Sequence, residues 1–191
     1  MRIGLFGGTF NPVHKGHLLL AEGARKQLSL DQILWIPANA PPHKPLEGNA
    51  GPEDRCRMVE LAIAGHPVFR LSRIELDRPP PSYTIETVRR LQADSPDKKI
   101  SWYFLIGADL AAELSAWREI DALRRLVQFA VVPRPQVSPA HGIPPDVKRI
   151  QVETPDLSAS EIRRRVREGK PIEGLVPEPV RQYIQEHHLY R

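Results

Sequence analysis

The sequence has a single cysteine and no long apolar run, and each absence excludes a class of protein. Cys56 is the only cysteine among 191 residues, so no internal disulfide can form, and no grouping of residues suggests a zinc site. No apolar stretch approaches the ~20 residues that span a bilayer, and the amino terminus lacks the basic and apolar segments of a secretion signal. We expect a soluble, cytoplasmic protein with no membrane partner, in which Cys56 serves packing.

The charge balance is mildly basic, with 27 lysines and arginines against 23 acidic residues and a formal net charge of +4. Its densest part, Arg163-Arg164-Arg165 with Arg167 and Lys170, would suit a nucleic acid. The run lies on a predicted helix, where such side chains form a solvated face, and no recognition motif accompanies it. We expect no nucleic-acid partner, because an anionic small substrate explains the charge as well.

Strands and helices alternate along most of the chain. A length of 191 residues with 41% hydrophobic content allows one domain, 1–191, with a buried core. Apolar patterning predicts strands over residues 1–6, 32–37, 69–74, 100–106 and 129–132, and helices over 16–28, 52–64, 84–93 and 109–126. Two further predicted helices, 158–168 and 177–189, form a small helical C-terminal part of the same domain, 155–191.

This alternation predicts an α/β fold with a mostly parallel sheet and helices on both faces. In such sheets, ligands bind beyond the carboxyl ends of the strands, where the strand order reverses. Four loops follow predicted strands and should meet at that edge: residues 7–16, 38–44, 107–109 and 133–134. We expect the functional site there.

The segment from Gly4 to His17 carries the most chemistry of these loops. Gly7 and Gly8 follow a buried strand and allow backbone N–H groups to approach a phosphate, although such pairs are also common in turns. His14 and His17 are three residues apart at a predicted helix start, so both can reach one ligand. The loop has neither the Gly-x-Gly-x-x-Gly spacing nor the Walker A lysine and hydroxyl pair. The combination nevertheless indicates a polyphosphate site.

The string GGTFNPVHKGH, residues 7–17, resembles the (His/Thr)-x-Gly-His signature of the nucleotidyltransferase superfamily and, as a whole, the bacterial nicotinate-mononucleotide adenylyltransferase family. The resemblance implies a Rossmann-like nucleotidyltransferase fold and adenylyl transfer from ATP to nicotinate mononucleotide, a step of NAD biosynthesis. It implies ATP contacts from Gly7, Gly8, Thr9, Phe10, His14 and His17. Thr9 is also expected at the mononucleotide.

A second phosphate site is predicted at the start of the helix over 158–168. Ser158 and Glu161 match a capping box, which accounts for both residues structurally. A hydroxyl-rich helix N-terminus with Arg163 nearby also suits phosphates, and the segment resembles the family's Ser-Ser-x-x-Ile-Arg motif, with the serine pair split by one residue. The resemblance implies that Ser158, Ser160 and Arg163 bind ATP.

Two segments resemble the family's binding site for the mononucleotide. Gly107 and Asp109, followed by Trp117, resemble a motif of the family. The resemblance implies that Asp109 binds a ribose hydroxyl of the mononucleotide and that the Trp117 indole stacks on its pyridine ring. It also implies that Gly107 and Asp109 contact ATP. Arg118 stands where family members often carry an aromatic residue. Thr84, which patterning predicts as a helix N-cap, lies in a segment that resembles the loop whose N–H groups meet the nicotinate carboxylate.

Lys44 and Arg134 complete the predicted site. Lys44, after the second strand, resembles the lysine of a Pro-His-Lys loop near the transferring phosphates, although a surface lysine is usually only solvated. Arg134 follows the last predicted strand and is expected at the mononucleotide. The predicted catalytic residues are His14, His17, Lys44 and Arg163. We expect no metal site built by the protein, since Mg²⁺ would arrive with ATP.

The residues leave two alternatives open. Another adenylyltransferase of the superfamily, acting on pantetheine phosphate, would share the fold, but His14 and Trp117 favour the nicotinate family. A nucleotide- or RNA-binding protein without catalysis would bind ATP and release no pyrophosphate. The sequence also leaves open whether the chain forms a homo-oligomer.

Overall fold

The computed structural model describes residues 1–39, 47–96, 99–132, 144–152 and 155–191. Its strands are β1 (Arg2–Gly8), β2 (Gln32–Pro37), β3 (Phe69–Leu71), β4 (Ser101–Gly107), β5 (Gln128–Val132) and β6 (Lys148–Arg149). Its α-helices are α1 (Lys15–Leu28), α2 (Pro52–Ile63), α3 (Thr84–Asp94), α4 (Ala108–Ala112), α5 (Ile120–Leu126), α6 (Ala159–Arg167) and α7 (Glu178–Glu186), and a 3₁₀ turn covers Leu114–Ala116. Within the described ranges, no helix has the length and apolar content that crossing a membrane requires.

The strands form one parallel sheet in the order β3-β2-β1-β4-β5-β6. From β1 the chain moves outwards through β2 to β3 and then returns to the other side of β1, so the order reverses between β1 and β4. All strands end at the same edge, with Gly8 beside Pro37 and Gly107 beside Val132. The predicted α/β fold with a parallel sheet is confirmed.

Apolar side chains on both faces of the central strands explain their place in the sheet. Leu5 of β1 and Trp35 of β2 are each 0% exposed and belong to the cores on opposite faces. Helices α1, α2, α6 and α7 cover the face of Trp35, and α3, α4 and α5 cover the face of Leu5. The sheet is therefore buried on both sides, and ligands can approach it only at its edges.

The helix predicted over residues 109–126 is wrong. The chain instead forms α4, the 3₁₀ turn and α5, because Trp117 is extended (φ −72°, ψ 140°) and Glu119 is left-handed (φ 52°). The break directs the Trp117 indole onto Phe104 and Phe129, with ring centroids 5.9 and 6.1 Å away. Packing this ring against two aromatic rings outweighs the helix propensity of the segment.

The two outermost strands of the sheet, β3 and β6, also differ from the prediction. The strand predicted over 69–74 ends at Leu71, after which Asp77 N donates to Arg73 O at 2.9 Å in a turn. Strand β6 was not predicted, because its two residues are exposed and polar and carry no apolar pattern. It adds a short outer strand to β5 and leaves the central order unchanged.

The C-terminal helices share a core with α1 and α2. Ile162 of α6 is 0% exposed there, and Ile184 of α7 is 2% exposed. Beyond α7, the Tyr190 side chain is 1% exposed, and its hydroxyl donates to Asn11 Oδ1 at 2.8 Å. Burial raises the pKa of the Tyr190 phenol well above its usual range, so the hydroxyl remains a donor. Residue 190 is thus bound to the loop after β1.

Tyr190→Phe removes this hydroxyl and leaves the buried Asn11 Oδ1 without its donor. We expect the free energy of unfolding to fall by about 1–3 kcal/mol, measured by urea denaturation. Tyr83→Phe is the control, because Tyr83 is half-buried against the core on the opposite face of the sheet. It should change the free energy by less than about 0.5 kcal/mol. Equal losses in the two variants would contradict a structural role for the Asn11 contact.

Candidate active site

The loop after β1 lies where the strand order reverses. Gly7, Gly8 and Thr9 are half-buried there, and Phe10 is buried in a left-handed conformation (φ 50°). The Phe10 ring packs on Trp35, with centroids 5.4 Å apart. A Cβ on Gly8 would lie 2.9 Å from the Phe10 ring, so a glycine is needed at this approach. The aromatic ring therefore anchors the loop from the core side.

The two predicted histidines lie side by side at the start of α1. The ring centroids of His14 and His17 are 3.7 Å apart, and the planes are tilted by 31°. The main-chain N–H of His14 donates to His17 Nδ1 at 3.2 Å, so a neutral His17 carries its proton on Nε2. The His17 ring is 5.2 Å from that of Phe10. Both imidazoles are therefore next to the glycine loop.

Gly16 allows the two imidazoles to pack together. A Cβ at this position would lie 3.0 Å from two atoms of the His14 ring. His14 is 6% exposed and His17 is half-buried, so His17 is the more open to a ligand. The N-terminus of α1 adds a positive dipole end at the same place. The arrangement suits a polyphosphate.

Arg163 reaches the same loop from α6. Its Nη1 donates to Asn11 O at 2.7 Å, and its Nη2 pairs with the Glu47 carboxylate. The hydrogen bond from Arg163 lowers the pKa of Glu47, whose side chain is 64% exposed. Arg163 itself is only 7% exposed. The predicted phosphate-binding guanidinium thus lies at the loop, with an exposed carboxylate as its counter-ion.

Ser158 caps α6, as predicted. Its Oγ accepts a hydrogen bond from Glu161 N at 3.2 Å, which confirms one half of the capping box. The Glu161 carboxylate pairs with Arg164 at 2.8 Å. Ser158 and Ser160 are both exposed. Their binding of phosphate stays a prediction.

The residues predicted for the mononucleotide lie around the ends of β4 and α3. Gly107 ends β4 and is the N-cap of α4, which contains Asp109 at a position whose side chain is outside the described part. Trp117 is half-buried against β4 and β5. The Arg118 guanidinium lies 4.4 Å from the ring centre of Tyr83, the residue before α3. The segment after Trp117 therefore touches the start of α3.

The prediction that Thr84 is an N-cap is wrong by one residue. Tyr83 is the N-cap in an extended conformation (φ −93°, ψ 133°), and its carbonyl accepts hydrogen bonds from Glu86 N and Thr87 N at 3.1 and 3.2 Å. Thr84 is the first helical residue because these backbone bonds, rather than a side-chain cap, start α3. Its N–H belongs to the first turn, where a helix offers no internal partner. That donor remains suited to a carboxylate.

Lys44 and Arg134 lie outside the described residues. Their places at the site stay predictions. Among the residues that the structure describes, no group of three or more His, Cys, Asp or Glu side chains could hold a metal ion.

Sequence patterning missed a buried charge beside the loop. Arg55 of α2 is 0% exposed, and its Nη1 donates to Thr9 O at 2.8 Å. A signal was present, since Arg55 shares its helix face with the buried Met58, Val59 and Ala62. A charged residue on an apolar helix face marks a buried polar contact.

The chain is similar to known proteins over most of its length. The cytidylyltransferase-like family model matches residues 5–165. A probable nicotinate-nucleotide adenylyltransferase of Synechococcus sp. (strain JA-3-3Ab) is 46% identical, with 99% of this chain and 94% of the relative covered. A protein of the same name from Geobacillus thermodenitrificans is 48% identical, with 99% of this chain and 86% of the relative covered.

Solved structures show the same fold at lower identity. Plasmodium falciparum nicotinic acid mononucleotide adenylyltransferase, complexed with NaAD, has a TM-score of 0.81 at 19% identity and covers 99% of this chain and 97% of its own. A putative nicotinate-nucleotide adenylyltransferase of Vibrio parahaemolyticus has a TM-score of 0.71 at 20% identity, with 100% and 95% covered. With relatives 46 and 48% identical over 99% of its length, the chain belongs to the nicotinate-nucleotide adenylyltransferase family.

Proposed function

We propose that this chain transfers the adenylyl group of ATP to nicotinate mononucleotide, forming nicotinate adenine dinucleotide and pyrophosphate. The observation that carries the proposal is the His14 and His17 pair, 3.7 Å apart beside a glycine loop where the strand order reverses. The names of the relatives support the choice of acceptor. The reaction is a step of NAD biosynthesis.

The reaction needs positioning more than acid or base chemistry. A phosphate oxygen of the mononucleotide attacks the α-phosphorus of ATP in line, the bond from that phosphorus to the bridging oxygen breaks, and pyrophosphate leaves with both electrons of the bond. The nucleophile is already an anion at neutral pH, so no general base is required. The protein lowers the barrier by holding the two anions together and stabilising the charge that develops.

The loop after β1 would hold the phosphates of ATP. In this proposal, His14 and His17 bind the α- and β-phosphates, and His17 uses its Nε2–H because Nδ1 accepts the His14 main-chain N–H. Lys44 and Arg163 stabilise the leaving pyrophosphate. ATP must then compete with the exposed Glu47 carboxylate for Arg163. Such an exchange replaces one charged acceptor by another.

Mg²⁺ would enter as part of the ATP substrate. Mg²⁺ in nucleotide sites is held largely by phosphate oxygens and water. We therefore assign the ion to ATP rather than to a cage of protein ligands.

The acceptor would lie between Trp117 and the start of α3. The half-buried indole offers a face to the pyridine ring, and the Thr84 N–H in the first turn of α3 offers a donor to the carboxylate. The amide of nicotinamide mononucleotide has no charge for this helix end to bind. The acid form should therefore be preferred.

Pyrophosphate release from ATP tests the activity, with nicotinate mononucleotide, nicotinamide mononucleotide and pantetheine phosphate as acceptors in turn. We expect the acid to be preferred over the amide by at least about tenfold in kcat/KM, since charge-assisted hydrogen bonds of about 1.5–3 kcal/mol are lost. Release with pantetheine phosphate alone would identify a different adenylyltransferase. ATP binding without release would contradict catalysis.

Trp117→Ala separates ring stacking from recognition of the acid. The variant should lower kcat/KM for both mononucleotides and keep the preference for the acid, because the indole contacts the ring that both share. Trp102→Ala is the control, since Trp102 lies near the amino-terminal end of β4, whereas the site lies at the carboxyl ends of the strands. If the preference collapses in Trp117→Ala, then Trp117 rather than the backbone recognises the acid.

His17→Ala should lower turnover about a hundredfold or more while the fold stays intact. The reason is the loss of a phosphate donor worth about 2.7–4 kcal/mol in the transition state. His66→Ala is the matched control, because His66 is exposed and stacks on Phe69 away from the site. Near-normal turnover of His17→Ala, with circular dichroism as the check on folding, would remove His17 from the mechanism.

Arg163→Ala should raise the KM for ATP about tenfold or more, as well as lower kcat, because the guanidinium binds phosphate in the ground state too. Its neighbour Arg164 provides the control: it is exposed and pairs with Glu161 and Glu168. Arg164→Ala should leave ATP kinetics unchanged. An unchanged KM for ATP in folded Arg163→Ala would show that Arg163 only stabilises the loop after β1 and does not bind ATP.

A further inference from the structure

Arg55 connects two loops at the ligand edge of the sheet. It lies in α2 at 0% exposure, and its Nη1 donates to Thr9 O at 2.8 Å and to Ala38 O at 2.7 Å. Its Nη2 donates to Asn39 O at 2.7 Å. Thr9 follows β1, whereas Ala38 and Asn39 follow β2. One guanidinium thus spans the ends of two neighbouring strands.

Among the described residues, the hydrogen-bond partners of the Arg55 guanidinium are all main-chain carbonyl oxygens. Within the described ranges, no carboxylate forms an ion pair with Arg55, and the adjacent Asp54 accepts hydrogen bonds from Gly51 N and Tyr183 Oη. Burial lowers the pKa of Arg55, but a guanidinium stays protonated in proteins. A buried cation without an anion carries a large desolvation cost. The desolvation cost reduces what Arg55 contributes to the free energy of folding, so stability by itself does not explain a buried arginine at this position.

The three hydrogen bonds determine how the loop peptides point. In a trans peptide unit, the C=O and the following N–H point in opposite directions. Because Thr9 O faces Arg55, the Phe10 N–H faces away from Arg55. For the same reason, the Asn39 N–H faces away from Arg55, since Ala38 O faces it. Phe10 also keeps a left-handed φ of 50°, which a bulky residue rarely adopts. Arg55 holds these peptides in one orientation.

The loop after β2 is connected to α3 by further hydrogen bonds. Asn39 Nδ2 donates to Arg78 O at 2.9 Å, and Arg78 Nη2 donates to Thr87 Oγ1 of α3 at 2.7 Å. A continuous chain of hydrogen bonds thus runs from Thr9 through Arg55, Asn39 and Arg78 to Thr87. It joins the loop after β1 to the helix that would face the acceptor.

We propose that Arg55 is a positioning residue for the nucleoside triphosphate: its guanidinium, bonded to Thr9, Ala38 and Asn39, fixes the loop N–H groups that bind the phosphates. The inference rests on the proposed function for the identity of the ligand. Arg55 does not touch the substrate, because it is 0% exposed. It acts through the peptides that it orients, as preorganised anion sites require.

The test uses Arg55→Met and Arg55→Lys in the full chain, with Arg57→Met as the matched control. Arg57 lies on the same helix, but its side chain is 53% exposed and pairs with Glu60. Three quantities are measured for each protein: the midpoint of thermal unfolding, the Kd of MgATP by calorimetry, and kcat and KM for ATP. Methionine fills a similar volume without the charge, and lysine keeps the charge without the planar fork.

We expect Arg55→Met to fold with a lower unfolding midpoint than wild type, because three carbonyl oxygens lose their donor and the loss of a buried cation offsets this only in part. Its Kd for MgATP should rise about tenfold to a hundredfold, since the loop peptides lose their orientation. Arg55→Lys should show a smaller rise, because an ammonium cannot bridge both loops, and Arg57→Met should match wild type in every measurement.

Wild-type ATP affinity in folded Arg55→Met and Arg55→Lys would overturn the inference, and so would failure of both variants to fold, since Arg55 would then serve only stability. If Arg55→Met alone fails to fold, the MgATP affinity of Arg55→Lys decides. MgATP binding by wild type without pyrophosphate release from nicotinate mononucleotide would refute the proposed function. It would still leave the role of Arg55 measurable by calorimetry.

Discussion

The site depends on buried donors that hold the carbonyl oxygens of the loop after β1. Arg55 bonds Thr9 O at 2.8 Å, and Arg163 bonds Asn11 O at 2.7 Å. Between them, Phe10 keeps a left-handed backbone that a bulky residue adopts only when its surroundings enforce it. The ring of Phe10, packed on Trp35, adds a third constraint. The loop is thus shaped before any ligand arrives.

This arrangement concentrates positive charge behind a loop without carboxylates of its own. Arg55 is 0% exposed and Arg163 is 7% exposed, and the described ion pairs assign a carboxylate only to Arg163. Interactions at low dielectric are strong, so both cations act on an anion at the loop more than surface charges would. Their desolvation cost is partly recovered when a polyanion binds. A neutral ligand would recover none of it.

The sequence predicted the parts of this molecule that follow from repeating patterns. Apolar runs located the central strands, and their alternation with helices implied the parallel sheet, because burial on both faces requires it. Patterning failed where a tertiary contact overrides local propensity. Trp117 breaks a helix to reach Phe104. At α3 the error has a local cause, because backbone hydrogen bonds to the Tyr83 carbonyl start the helix one residue before the expected Thr84 cap. The contacts of Arg55 and Tyr190 join distant segments, and no local pattern encodes such partners.

The Tyr190 contact has a consequence for how the protein matures on the ribosome. Its hydroxyl and the Asn11 side chain are 179 positions apart in the chain, and contacts of such long range form late in folding. Synthesis proceeds from the amino terminus at roughly 5–20 residues per second, so the glycine loop emerges long before its partner. We expect a nascent chain that has built the first βαβ unit to lack the completed loop. The loop can gain its Tyr190 hydrogen bond only after residue 190 has left the exit tunnel.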